Sequence, residues 1–67
     1  MTSFAGFNYL ERAFKGTKTQ IETSSGIRVG KLIQFNADII EMEIHGQRIF
    51  ILPDKVISIC SAEPEAV

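Results

Sequence analysis

From Phe4 to Phe14, apolar side chains fall at Phe4, Phe7, Leu10, Ala13 and Phe14, a spacing that keeps returning to one face of a helix. The pattern predicts a helix over about residues 4–15. Its start is either Ser3 or a capping box made by Asn8 with Glu11, and Gly16 ends it as a left-handed cap. Glu11, Arg12 and Lys15 fall on the other face, so the helix reads as an amphipathic lid over a core.

From Lys18 the texture changes to β-branched residues and short turns. Lys18 to Thr23 predicts a first strand, closed by Ser24-Ser25-Gly26 as a hairpin turn. Ile27 to Phe35 predicts a second strand of about nine residues, roughly 30 Å if straight. A compact domain of this length is only about 28 Å across, so the strand has to bend, and Gly30 is where bending costs least. The apolar register changes there too: Ile27 and Val29 share one face and Leu32 belongs to the other. Asn36-Ala37-Asp38 is turn chemistry. Ile39 to Ile44 predicts a third strand, His45-Gly46 a tight turn, Gln47 to Leu52 a fourth strand, Pro53-Asp54 a short break and Lys55 to Cys60 a fifth. The expected architecture is mainly β, an N-terminal helix followed by a five-stranded, strongly bent small barrel. One domain over residues 1–60 is expected, followed by a flexible acidic tail over 61–67.

Strands four and five are apolar on both faces: Ile49, Phe50, Ile51 and Leu52, then Val56, Ile57 and Ile59. A barrel interior takes only alternate residues. Either the helix covers the second face or a neighbouring subunit does. The size of the chain, 67 residues, favours the subunit, because so small a core stabilises a fold by little. Cys60 is the only cysteine, which rules out an internal disulfide, and His45 is the only histidine, which argues against zinc. Self-association remains, and these seven residues are the expected oligomer interface.

Net charge is −1, with 45% hydrophobic and 22% charged residues, the composition of an ordinary globular domain. No apolar run approaches the roughly 18 residues that span a bilayer, and the chain does not open like a secretory signal. With an unpaired thiol, this points to a reducing, cytoplasmic setting. His45 in its turn reads as solvated, Cys60 as a buried small hydrophobe without an activating base, and Glu41 with Glu43 as an exposed strand face. The chain holds no catalytic constellation, metal site or phosphate-binding glycine loop, and no cofactor is expected.

The stretch IETSSGIRVGKLIQFNADIIEMEI resembles the first signature of the Sm-like small barrels (Sm, LSm and Hfq proteins). Gly26, Gly30, Leu32 and Asn36 occupy its turn-glycine, strand-glycine, leucine and turn positions. RIFILPDKVISIC is similar to the second signature, two apolar strands joined by a very tight turn. The likeness covers about Phe7 to Cys60 and is nearest to short bacterial Sm-like proteins. It implies an SH3-like barrel and a homo-oligomeric ring that binds single-stranded RNA. The chain departs from the family where uridine is usually held: Asp38 and Pro53-Asp54 stand in those turns, and acidic turns repel phosphate. An RNA surface is therefore expected elsewhere, on the basic helix and first-hairpin face, from Arg12, Lys15, Lys18, Arg28 and Lys31 with Asn36. The alternative is a structural or protein-interaction ring with no nucleic-acid ligand.

Overall fold

The computed structural model of the protein describes residues 5–63. Helix α1 (Ala5–Phe14) is followed by five strands: β1 (Lys18–Thr23), β2 (Gly26–Phe35), β3 (Ile40–Ile44), β4 (Gln47–Ile51) and β5 (Val56–Ser61). All pairings are antiparallel and make one sheet in the order β4-β3-β2-β1-β5. The fold is thus mainly β with an N-terminal helix. The expected strands are present, most bounds shifting by a residue. The hydrogen-bonded ladder does not close: β4 and β5 are its two edges, not partners.

The helix turns Phe7, Leu10 and Phe14 towards the sheet and leaves Asn8, Tyr9 and Arg12 exposed. The expected Asn8–Glu11 capping box does not form, because both residues lie inside α1. Glu11 is instead half-buried, and its carboxylate accepts a hydrogen bond from the Phe35 N–H at 3.1 Å. Ser3 and Phe4 lie outside the described residues. Gly16 ends the helix as anticipated, with φ +82°, a conformation that favours glycine. Its N–H then donates to the Leu32 carbonyl at 2.8 Å, and the Leu32 N–H to the Thr17 carbonyl at 3.1 Å. These two bonds clamp the helix end to the middle of β2.

β2 is the strand that shapes the molecule. Its first part, Gly26 to Lys31, pairs with β1, and its second, Lys31 to Phe35, with β3. A strand that changes partner in this way has to bend, and Gly30 stands at the change. A Cβ built on Gly30 would lie 2.5 Å from the Glu43 carbonyl oxygen and 2.5 Å from Ile44 Cγ1. The glycine thus lets the end of β3 fold against β2. The register break itself falls two residues later, between Leu32 and Gln34, where Ile33 is the extra residue.

The concave face carries the core: Ile21, Leu32, Phe35, Ile40, Met42 and Ile51, with Ile44, Ile49, Val56, Ile59 and the three helix side chains packed against it. The rings of Phe7 and Phe35 lie 5.6 Å apart. In β1 the alternation is clean, with Thr19, Ile21 and Thr23 buried between less buried neighbours. The two buried threonines are satisfied locally. Thr19 donates to the Thr17 carbonyl, and Thr23 donates to the Gly26 carbonyl while accepting from the Ser25 N–H.

Turn chemistry fixes the hairpins. The Asn36 side-chain oxygen accepts from the N–H groups of Asp38 and Ile39, both at 2.9 Å. His45 and Gly46 both take positive φ, 53° and 78°, as a two-residue hairpin turn requires. After Leu52, residues Pro53–Lys55 form one turn of 3-10 helix.

Candidate assembly and nucleic-acid surfaces

The seven expected interface residues separate into two sets. Ile51 is only 8% exposed and belongs to the core, which removes it from any surface of the folded subunit. Ile49, Val56 and Ile59 are half-buried and pack against that core, each directly opposite an inward partner: Met42, Thr23 and Ile21. Phe50, Leu52 and Ile57 are 60%, 54% and 63% exposed. Phe50 stands opposite Glu41 on the convex side of β4. Ile57 is the extra residue of an irregularity in β5, where Glu22 pairs Ser58 and Thr23 pairs Val56. Helix α1 packs against the core cluster and does not cover these three, so the alternative in which the helix hides the second face does not hold.

Both strands bearing these side chains are sheet edges. An edge strand presents a row of backbone N–H and C=O groups to whatever lies beside it. The molecule therefore exposes two such rows, one at each end of a single sheet, each flanked by large apolar side chains.

The expected cations also divide. Lys18 and Lys31 are directly opposite each other across β1 and β2. Lys15 follows the end of α1, which is bonded to Leu32 beside Lys31, and Arg12 lies one helical turn before Lys15. All four are exposed. Glu43 stands opposite Lys31 across β2 and β3, and the Glu63 carboxylate accepts from the Lys18 N–H at 3.3 Å. Arg28 does not join them. It is opposite Ile21, on the concave side, and borders a groove with β4. Asn36 is occupied by the fold: its oxygen holds the turn, and its amide donates to Gln34 Oε1 at 3.2 Å.

That amide begins a chain of polar contacts which reading the sequence missed. Gln34 Nε2 donates to Glu41 Oε1 at 2.8 Å, and Arg48 Nη1 donates to Glu41 Oε2 in a short ion pair. Glu41 is buried, not on an exposed strand face as the alternation with Glu43 suggested. The Arg48 guanidinium, helped by the Gln34 amide, holds its carboxyl below the ordinary 4.5 against the upward push of burial. The one sequence signal was the hairpin at His45-Gly46, which sets Glu43 opposite Arg48. The diagonal to Glu41 prevails because Gln34 on β2 completes the cluster.

Cys60 is exposed, contrary to expectation: it stands opposite Gln20, on the outward side of an edge strand. His45 is an exposed turn residue. Among the described residues no group of three or more His, Cys, Asp or Glu is placed to hold a metal ion, and no helix is long and apolar enough to cross a membrane. Comparison of the chain with protein-family models, with curated proteins and with solved structures finds no match.

Proposed function

We propose that the protein is a non-enzymatic Sm-like module that assembles with copies of itself into a ring, β4 of one subunit pairing with β5 of the next. The observation that carries this reading is the pair of free edges at opposite ends of one sheet, with Phe50, Leu52 and Ile57 exposed beside them. Joining unlike edges is a head-to-tail contact, and such contacts close into rings when the rotation allows. The preceding helix, the strand order and the bent β2 support an Sm-like barrel. So does the approach of β4 to the β1–β2 turn, where both border one groove.

A second reading, single-stranded RNA as ligand, is favoured by one observation. Lys18 and Lys31 face each other directly, a like-charge pair that Glu43 opposite Lys31 offsets only in part and that a further anion would relieve, and Lys15 follows the helix end bonded beside Lys31. Light scattering on the whole chain, alone and with oligo-uridine or oligo-adenosine at two salt concentrations, tests both. The ring reading expects a mass several times the 7.5 kDa of one chain, and a monomer at micromolar concentration overturns it. The RNA reading expects binding that weakens with salt for both sequences alike and is lost in Lys15→Glu/Lys31→Glu. Absence of binding at every salt concentration leaves the ring as a structural or protein-interaction module.

A further inference from the structure

The cluster around Glu41 reaches from the interior of the sheet to its edge. The carboxylate accepts from Gln34 on β2 and from Arg48 on β4, and Gln34 in turn accepts from the Asn36 amide. Gln34 and Phe50 stand directly opposite Glu41 on the two neighbouring strands, and neither carries charge. Glu43 shares its face two residues along β3, opposite both Lys31 and Arg48. Helix α1 packs on the other, concave face, where its half-buried carboxylate, Glu11, is bonded to the Phe35 N–H. Among the described residues the one ion pair is Arg48 with Glu41, and Glu41 is buried whereas Glu43 is only half-buried. The Arg48 side chain, by contrast, is 53% exposed on a free edge strand.

Any strand that covers the edge of β4 takes water away from Arg48. In the ring reading that strand is the β5 of a second copy, Val-Ile-Ser-Ile-Cys-Ser, which has no charged residue. Its outward side chains, Ser58 and Cys60, lie on the convex side, opposite Glu22 and Gln20. They would continue the convex face of β4, so Arg48 meets no carboxylate on the incoming strand in any register. A guanidinium desolvated without a countercharge is costly, and the countercharge therefore has to come from its own subunit. We propose that Glu41 is the internal counterion that lets β4 be covered, so that protonating Glu41 releases the assembly into folded subunits. This inference rests on the ring reading. Arg48 first, and then Gln34, hold the carboxyl below the ordinary 4.5. Assembly is thus intact near neutrality and is lost on acidification through that lower folded value.

The test is light scattering of the whole chain over a range of concentrations, with far-UV circular dichroism on the same samples. Glu41→Gln removes the charge and keeps an acceptor for Gln34. At neutral pH it should stay folded and need about tenfold or more protein to assemble than the wild type. Glu41→Gln/Arg48→Met removes both charges and should restore the wild-type mass. Acidified from about pH 7 to about pH 3, the wild type should dissociate before its circular dichroism changes, and Arg48→Met should hold its mass to a lower pH. A folded Glu41→Gln that assembles like the wild type at neutral pH overturns the proposal. If that variant does not fold, Arg48→Met decides, since dissociation at the same pH as the wild type overturns it as well. A wild-type monomer at neutral pH removes the ring reading and this inference together, whereas a ring that resists acid removes this inference alone.

Discussion

At Gly30 the constraint is space more than backbone freedom. Any side chain there meets the Glu43 carbonyl oxygen and Ile44 Cγ1 at 2.5 Å, and a backbone carbonyl cannot rotate aside. Gly30→Val should therefore force β3 away from β2 and cost about 1–3 kcal/mol, the usual range for overpacking. Urea denaturation measures it, and an unchanged midpoint would mean that β3 does not press on this glycine. Glu41 adds a dependence on pH. Its folded carboxyl titrates below the ordinary 4.5 because Arg48 and Gln34 donate to it. The stabilisation is therefore complete above that value and is lost as pH falls through the folded one. The expected result is a melting temperature insensitive to this group above about pH 5 that drops as the solution is acidified below it. Arg48→Met should melt lower at neutral pH and converge with the wild type in acid. A gap of constant size across that range would assign Arg48 a packing role instead. The His45-Gly46 hairpin announced only Arg48 opposite Glu43, not its pairing with Glu41. Period-two alternation places Glu41 outward, and only the neighbouring strands reveal that Gln34 and Arg48 enclose it.

At the scale of the element, adjacent residues of β4 have opposite duties. Phe50 is exposed on the convex side and Ile51 is buried in the core. Phe50→Asp should keep the circular-dichroism spectrum of the fold and reduce the solution mass. Ile51→Asp should abolish the cooperative thermal transition, since a carboxylate would enter a core with no partner for it. A folded Ile51→Asp or an undiminished Phe50→Asp assembly contradicts this assignment. The strands and turns were legible because each boundary has its own local chemistry: Gly16 and Gly26 with positive φ, the Asn36 turn, the His45-Gly46 pair. The faces of β4 and β5 were not. Both strands are apolar throughout, and only the register with β3 and β1 decides which side chain turns inward. For the same reason Cys60 looked buried, though an edge strand leaves its outward residues open.

For the whole molecule, sheet order links chain position to the order of folding. The pairs β1–β2, β2–β3 and β3–β4 each join consecutive strands through a short turn. Only β5 pairs with a strand remote in sequence, Ser61 meeting Thr19 about 40 residues away. Contacts of large sequence separation form late, because the loop entropy comes before the reward. β1 to β4 can thus zip as a meander, and β5 is expected to dock last and to open first. In the isolated chain its amides should exchange with solvent faster than those of β2. In a ring, the neighbour's β4 would hold the outer side of β5, and protection of Val56–Ser61 would rise with protein concentration. Hydrogen exchange at two concentrations reads this directly, and concentration-independent protection of β5 would mean that the last strand to arrive is held by its own chain alone.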